Sequence, residues 1–342
     1  MSYMTDLHVI WYGLVGLLLT GYAILDGFDL GVGALHLFTK KDEHRRLMLN
    51  SIGPVWDGNE VWLVTGGGAL FAAFPEVYAT VFSGFYNAFI LLLFALIFRA
   101  VAIEFRSKQP MPWWRRMWDV SFSVASLLAA FLMGVAFGNI VWGVPLDAQR
   151  EFSGVFLDLL NPFALLVGVT TVALFMMHGA IYVVLKTEGE LHDVARRWVN
   201  NAIIVFVVCY AATTLATWLH LPHMLRLFRE HPFLSVVPLA TMLAIANVPR
   251  EIHHRRDFAA FLSSCAAIAG LMLLVAIGMF PNLVLARPDP SMSLTVFNAA
   301  SSPKTLKVML IMAAIGVPLV LAYTTSIYYI FRGKTKLDPM SY

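Results

Sequence analysis

The sequence contains few charged residues and few cysteines. Only 13% of its 342 residues are Asp, Glu, Lys or Arg, whereas 59% are hydrophobic. A soluble domain averages about 25% charged and about 45–50% apolar residues, so this composition excludes a soluble enzyme and a disordered protein. The net charge is only +3, and no Lys/Arg block flanked by aromatic residues occurs, which argues against a nucleic-acid partner. Cys209 and Cys265 lie in apolar runs and suggest neither a disulfide framework nor a zinc site.

Long apolar runs recur along the chain and predict an all-α integral membrane protein. A helix of about 20 apolar residues crosses a bilayer core of roughly 30 Å. We predict nine such transmembrane helices, and the first is too long to be a cleaved signal peptide. They lie near residues 8–37, 54–74, 77–104, 118–138, 161–185, 201–219, 233–248, 258–280 and 305–331.

The seventh span is short and contains Pro238, and the distribution of basic residues decides in its favour. With nine spans and the N-terminus outside, 18 of the 24 Lys and Arg residues fall on the inner side, as the positive-inside rule requires. Without the seventh span, the cluster from Arg250 to Arg256 would lie outside. We therefore expect the N-terminus on the periplasmic side and the C-terminus in the cytoplasm.

A weak internal repeat divides the chain into two similar parts. Residues 16–27 align without gaps with residues 168–179, so that Asp26 is matched to His178. Each segment is followed by a polar loop ending in an Arg-Arg pair, with an Asn five residues after the first Arg. The repeat predicts two parallel four-helix units plus one extra helix, although glycines and Arg-Arg pairs are also common in membrane proteins by chance. The predicted units are residues 1–150, residues 151–285 and, for the ninth helix with its cytoplasmic tail, residues 286–342.

Four acidic residues lie near the predicted inner ends of the first two spans. Asp26 and Asp29 are three residues apart, as are Asp57 and Glu60, so each pair occupies one face of its helix. If the two helices form a tight hairpin centred near residue 44 or 45, Asp29 lies at the same depth as Glu60. We therefore expect the four acids to gather in the inner half of the membrane.

The depth of these acids limits what they can do. An ionised, unpaired carboxylate there costs several kcal/mol, so each must face protein, water or a counter-charge, or hold a proton. Such groups suit a series of side chains that accept and pass on protons. The alternative is structural, in which the acids pair with Arg45, Arg99 or Arg106, or cap a helix. An acid at the start of the second span also interacts favourably with the helix dipole.

The histidines argue against haem binding by this chain. A membrane protein that ligates b-type haems needs His or Met residues deep in facing helices. Of ten histidines only His178 lies clearly within a span, and a lone buried His is more often a hydrogen-bonded interior residue. No zinc pattern, nucleophile elbow, Walker loop or dinucleotide fingerprint occurs in the sequence.

Two acidic motifs resemble those of a known family. They are Asp-Gly-Phe-Asp-Leu-Gly-Val-Gly over residues 26–33 and Gly-Pro-Val-Trp-Asp-Gly-Asn-Glu-Val-Trp-Leu over residues 53–63. Together they resemble subunit II of the cytochrome bd-type quinol oxidases, a family that includes cyanide-insensitive members. The similarity is dense through residues 15–108 and rests on topology and length in the rest of the chain. It implies a multi-pass subunit of a terminal oxidase in the bacterial inner membrane.

The resemblance also implies a division of labour between two subunits. A haem-bearing subunit I would carry haems b and d, the quinol site and the oxygen-reducing centre, and subunit II would ligate no haem or metal itself. Subunit II would support assembly and contribute a proton path from the cytoplasm through Trp56 and Asp57, with Asp26, Asp29 and Glu60 as further members. The other implied partners are a small accessory subunit, membrane lipid, a structural quinone held by some members, and quinol and oxygen as substrates of the complex.

A proton-coupled secondary transporter is the second hypothesis, because parallel repeats and intramembrane acids also suit that class. A transporter would bind substrate near the midplane of the membrane, whereas the acids here lie toward one surface. A third hypothesis is a scaffold that supports its partner and conducts no protons.

Overall fold

Helices dominate the computed structural model of the protein, which describes residues 7–337 and Ser341. The outermost parts of the first and third predicted units, residues 1–6, 338–340 and 342, lie outside this description. The helices are α1 (Leu7–Leu35), α2 (Asp42–Ile52), α3 (Trp56–Ala73), α4 (Pro75–Gly84), α5 (Tyr86–Phe105), α6 (Pro112–Trp142), α7 (Pro162–Lys186), α8 (Gly189–His220), α9 (Arg226–Glu230), α10 (Val236–His253), α11 (Asp257–Met279) and α12 (Pro303–Ile330).

Four short strands lie in the loops that follow α6 and α11. They are β1 (Val144–Pro145), β2 (Asn282–Val284), β3 (Ala286–Arg287) and β4 (Leu294–Thr295). β1 pairs in parallel with β3, with Val144 opposite Ala286, and β2 pairs antiparallel with β4. The strands therefore connect the two loops with each other.

Eight helices in the described part of the chain are long and apolar enough to cross a membrane. They coincide with eight of the nine predicted spans. The exception is the second span, 54–74, which is helical as α3 but begins with the polar residues Asp57, Asn59 and Glu60. The all-helical membrane class is therefore confirmed, and the count of nine stays a prediction.

Two local predictions were wrong. The span at 77–104 is divided at Phe85 into α4 and α5. A Cβ atom on Gly84 would lie 2.7 Å from the Phe152 side chain, so a loop residue packs directly against the backbone at this division. The hairpin between the first two spans is also not tight, because it contains the 11-residue helix α2.

Sequence signals fix several helix ends. At the start of α7, the Asn161 side chain accepts a hydrogen bond from the Ala164 backbone N–H at 2.9 Å, and Pro162 occupies the first turn. Asn at the N-cap followed by Pro is a strong start signal, because the first backbone N–H groups of a helix have no partner within the helix. At the end of α6, Gly143 adopts a φ of 95°, a conformation that favours glycine.

The core is built around α1 and α7. α1 packs against α3 and α6, and α5 packs against α6. In the same pattern, α7 packs against α8 and α11, and α10 packs against α11. α1 and α7 cross where Gly31 meets Gly179, and a Cβ atom on Gly31 would lie 1.8 Å from the Phe175 carbonyl oxygen. Glycine permits this close approach between membrane helices.

α12 lies outside these two groups and is held mainly near its ends. Leu306 is its only buried residue among those described, and the Leu306 carbonyl accepts a hydrogen bond from Trp11 at 3.0 Å. At the other end, Lys186 from α7 donates to the carbonyls of Phe331 and Gly333. Reciprocally, Lys334 donates to the carbonyls of Val184 and Thr187, at 3.3 and 3.0 Å. Lys186 thus binds carbonyls just beyond the C-terminal end of α12, and Lys334 binds carbonyls at the C-terminal end of α7.

Candidate functional site

Three of the four predicted acids surround one buried guanidinium group. Arg99 on α5 donates to both carboxylate oxygens of Asp26, at 2.5 and 3.2 Å. Arg99 also lies 4.0 Å from Asp29 and 3.6 Å from Glu60. Arg99, Asp26 and Asp29 are completely buried in the chain, whereas the Glu60 side chain is 23% exposed. We call these four residues the acidic cluster.

A line of hydrogen bonds connects the acidic cluster to α12. The Asn59 amide nitrogen donates to Asp29 at 2.7 Å and to the Leu25 carbonyl at 3.2 Å. The Tyr328 hydroxyl of α12 donates to the Asn59 amide oxygen at 2.8 Å. Asn59 is buried, and its hydrogen bonds to residues of α1 and α12 fix the orientation of its amide group.

Two polar atoms of the acidic cluster have no hydrogen-bond partner among the described residues. They are one carboxylate oxygen of Asp29 and the Nε atom of Arg99. An unpaired polar atom at this depth is costly unless a water molecule pairs with it or, in the case of the Asp29 oxygen, it takes up a proton. The cluster is therefore suited to exchanging protons as well as to holding helices together.

The other two predicted site residues flank the cluster. The Arg99 guanidinium lies 5.9 Å from the centre of the Trp56 ring, within the range of a cation–π interaction. Asp57, in contrast, is exposed on the surface of α3. The expectation that all four acids gather was therefore wrong for Asp57, whose side chain points away from the buried face of its helix.

A second buried network, which the sequence analysis missed, surrounds Asp119 at the start of α6. Its carboxylate lies 2.6 Å from His36 Nε2, 2.8 Å from an Arg45 Nη atom and 2.5 Å from Arg106 Nε. Arg106 also bonds Asp42 at 2.6 Å. A signal was available, because Asp119 is an acid in the first turns of a predicted span, near loops rich in arginine.

The two networks differ in charge balance. In the Asp119 network, Arg45 and Arg106 offset Asp119 and Asp42, and Arg115 lies a further 3.4 Å from Asp42, so no excess negative charge remains even with a neutral His36. In the acidic cluster three carboxylates share Arg99, the one cation that lies within 4.0 Å of all of them among the described residues. Full ionisation would leave two excess negative charges in a medium of low dielectric constant. The acidic cluster is therefore the better candidate for a functional site.

The hydrogen bonds of His178 show whether its ring nitrogens could ligate a haem iron. Its Nδ1 atom lies 2.8 Å from the Ser264 hydroxyl and its Nε2 atom 3.0 Å from the Ile24 carbonyl oxygen. Both ring nitrogens are thus engaged, and neither is available to ligate iron. In residues 7–337 and Ser341, no group of three His, Cys, Asp or Glu side chains is placed to hold a metal ion.

Comparison with known proteins gives a consistent family match. Residues 7–331 match the family model described as cytochrome bd terminal oxidase subunit II. Cytochrome bd-I ubiquinol oxidase subunit 2 of Escherichia coli strain K12 is 40% identical, over 97% of this chain and 96% of that protein. Cytochrome bd ubiquinol oxidase subunit 2 of Bacillus subtilis is 36% identical, over 99% of this chain and all of that protein.

Among solved structures, the fold is similar to a chain of the bd oxidase from Geobacillus thermodenitrificans. The TM-score is 0.79 at 16% sequence identity, and the match covers 95% of this chain and 98% of that chain. At this identity the similarity concerns the fold alone.

Proposed function

This chain belongs to the cytochrome bd terminal oxidase subunit II family and is a membrane subunit of a bd-type quinol oxidase, and we propose that its acidic cluster lines a proton path to the oxidase's reaction centre. The family membership decides against the alternative of a secondary transporter. The observation that carries the proposal is the imbalance of three carboxylates around one buried guanidinium, Arg99.

The partner in this proposal is a subunit I that holds haems b and d and oxidises quinol with oxygen. When bound there, the haems supply the redox chemistry. The engagement of both His178 nitrogens supports a role for the present chain that does not include haem ligation. A small accessory subunit, a structural quinone and membrane lipid are further proposed components of the complex.

The proposed path begins at the exposed side of α3. Asp57 is exposed and Glu60, one helical turn later, is partly exposed, so both can exchange protons with water or with the partner subunit. Glu60 then lies 3.6 Å from Arg99, which contacts the fully buried Asp26. A proton can thus move inward between carboxylates that share one guanidinium group.

The buried acids of the path can bind a proton because protonation reduces the excess negative charge around Arg99. With Asp26, Asp29 and Glu60 all ionised, the acidic cluster carries excess negative charge that Arg99 alone does not offset. Taking up a proton reduces that excess, and releasing it is assisted by Arg99, which stabilises the carboxylate that remains. The Trp56 ring lies 5.9 Å from the guanidinium, where a cation–π interaction stabilises its charge.

Replacing Asp57 tests this path. We expect Asp57→Asn to slow quinol-driven oxygen consumption by the purified complex by about a hundredfold, because an amide cannot accept and pass on a proton at this position. The visible spectrum should show unchanged haem content. Asp193→Asn, an equivalent change at an exposed acid near the start of α8, should have no effect and serves as the control. Unchanged oxygen consumption in Asp57→Asn would support the scaffold hypothesis instead.

We further propose that the chain consists of two parallel four-helix units and an additional helix. The shared packing pattern of α1, α3, α5 and α6 with α7, α8, α10 and α11 supports this division. So do the Arg-Arg pairs, since the first arginine of each pair bonds an aspartate near the start of the fourth helix of its own group. These pairs are Arg45 with Asp119 at 2.8 Å and Arg196 with Asp257 at 3.1 Å.

The orientation we propose places the N-terminus outside and the C-terminus in the cytoplasm. It rests on the excess of Lys and Arg in the loops that would then be internal. In this orientation the acidic cluster lies toward the cytoplasm, which supplies the protons consumed when oxygen is reduced to water.

A further inference from the structure

A groove lies between α10 and α11 on the outer surface of the second helix group. Its volume is about 480 Å³, and it is lined by Leu243, Ala244, Asn247, Leu262, Ser263 and Ala266. Leu243 and Leu262 are 62% and 51% exposed, so apolar side chains of both helices face away from the protein. At the level of the membrane, such a surface contacts hydrocarbon chains.

One end of this groove is polar and joined to a basic residue. The Asn247 amide nitrogen donates to the Ser263 hydroxyl at 2.8 Å, which connects the two helices. The Asn247 amide oxygen accepts a hydrogen bond from Arg250 at 3.1 Å. The Arg250 side chain is 65% exposed, so most of its hydrogen-bonding capacity remains available beside the groove.

The loop next to this polar end carries an excess of positive charge. Five basic residues in this loop and in the last turn of α10 are exposed, namely Arg250, His253, His254, Arg255 and Arg256. Glu251 is the carboxylate nearest to them, 3.5 Å from Arg250 and 3.9 Å from Arg256, and its side chain is only 6% exposed. Asp257 is engaged by Arg196 at 3.1 Å. One buried carboxylate therefore contacts two of the three guanidinium groups, and an excess of positive charge remains.

We propose that the groove and this basic loop together bind one anionic phospholipid. The phosphate group lies against Arg250, Arg255 and Arg256, and an acyl chain lies in the groove between Leu243 and Leu262. The dimensions agree, because Ser263 is six residues beyond Asp257, or about 9 Å along α11, which separates a headgroup from the first part of its chain. Basic side chains at the membrane surface beside a groove between helices favour anionic over zwitterionic lipids.

The occupant is a lipid because one amphiphile matches both parts of the site, with its acyl chain in the apolar groove and its anionic headgroup at the basic loop. Exposed leucines at membrane depth require apolar contact, and three guanidinium groups beside a single carboxylate favour a further anion. A peptide helix in the groove would satisfy the leucines and leave the excess positive charge of the three arginines in place. A free phosphate ion would pair with the arginines and leave the groove unfilled.

Lipid counting on the intact oxidase complex tests the site. The complex is purified in mild detergent, incubated with dioleoylphosphatidylglycerol, and analysed by native mass spectrometry. We expect the triple variant Arg250→Gln/Arg255→Gln/Arg256→Gln to bind this lipid roughly a hundredfold more weakly, since each basic residue at the surface contributes about 1 kcal/mol, or about fivefold. Dioleoylphosphatidylcholine should bind weakly to both forms.

Two further variants separate the contributions. Lys40→Gln/Lys108→Gln/Arg116→Gln removes the same charge from exposed sites elsewhere in the chain and should leave lipid binding unchanged. Ala266→Trp places an indole in the groove while keeping all three arginines, and should displace the lipid without changing the haem spectrum.

Equal binding of phosphatidylglycerol by all variants would overturn the proposal. Retention of phosphatidylcholine to the same extent as phosphatidylglycerol would overturn it as well, because the arginines would then have no part in recognition. So would cross-linking of the groove residues to the partner subunit in the intact complex.

Discussion

The two groups of four helices pack in the same pattern and differ in their interiors. In the first group, α1, α3, α5 and α6, the buried Asp26 is paired with Arg99, and two further acids lie within 4.0 Å of that arginine. In the second group, α7, α8, α10 and α11, the residue aligned with Asp26 is His178. Both nitrogens of His178 have neutral partners.

This difference shows that the packing pattern does not require a charged side chain at the position of Asp26. The second group has a neutral, hydrogen-bonded His178 there, and its buried Lys186 and Glu251 lie near the ends of α7 and α10, so the acids of the first group are not needed simply to hold four helices together. Buried ion pairs usually give little net stability compared with apolar packing. The cost of keeping three carboxylates in the first group is therefore best explained by what they do.

Arg99→Gln gives the largest expected difference between the two groups. It would leave Asp26, Asp29 and Glu60 without their shared cation, and removing one partner from a buried ion pair costs about 3–5 kcal/mol. We expect a sharply lower unfolding temperature of the complex and a low yield of haem-containing protein. His178→Gln in the second group should cost only about 1 kcal/mol for each hydrogen bond lost.

The double variant Arg99→Gln/Asp26→Asn provides the control for Arg99→Gln. It removes the charge on both partners, so part of the lost stability should return. Equal destabilisation by Arg99→Gln and His178→Gln would contradict the contrast between the two interiors.

Gly31→Ala tests the contact between the groups. An added Cβ atom would lie 1.8 Å from the Phe175 carbonyl oxygen, so α1 and α7 would have to move apart. Overpacking of this kind costs about 1–3 kcal/mol. We expect a lower unfolding temperature of the purified complex. Gly16→Ala in the same helix meets no atom within 4 Å and should leave the unfolding temperature unchanged or slightly higher.

Tyr328→Phe has the smallest expected effect and sharpens the comparison at the acidic cluster. The change removes the hydrogen bond to Asn59, which orients the amide that donates to Asp29, at a cost of about 1 kcal/mol. We expect a small decrease in unfolding temperature. Tyr329→Phe, at a neighbouring position that is 64% exposed, should show no decrease. Identical behaviour of the two variants would mean that the Tyr328 hydrogen bond does not stabilise the cluster.

Much of the fold and part of the site could be predicted from the sequence. Apolar length placed the eight long apolar helices of the described chain, and the span predicted at 161–185 agrees closely with α7. The depth argument was correct for Asp29 and Glu60, which both lie near Arg99. The two acids lie at similar depth although α2 separates α1 from α3, because α2 lies near the centre of the connection and the distance to each acid changes by a similar amount.

The remaining errors concern the direction of side chains and the choice of partners. Asp57 was placed with Glu60 because the two are three residues apart, yet three residues on a helix differ by about 60° in direction, and Asp57 is exposed. Arg99 was one of three candidate cations, and the choice depended on how α5 packs against its neighbours. Asp119 was missed because Arg45 and Arg106 were considered only as partners for the acids of the first two spans, whereas they bond Asp119 of α6.

α12 joins the acidic cluster through Tyr328, while Trp11 and Lys186 hold it near its two ends. Among the described helices, α1 emerges first from the ribosome and α12 last. Asn59 bonds a residue of each, namely Asp29 of α1 and Tyr328 of α12. The hydrogen-bond line from Tyr328 to Asp29 therefore forms only after all the earlier helices have been synthesised. A subunit that still lacks its final helix cannot form this line, so Asn59 would then have no partner for its amide oxygen among these residues.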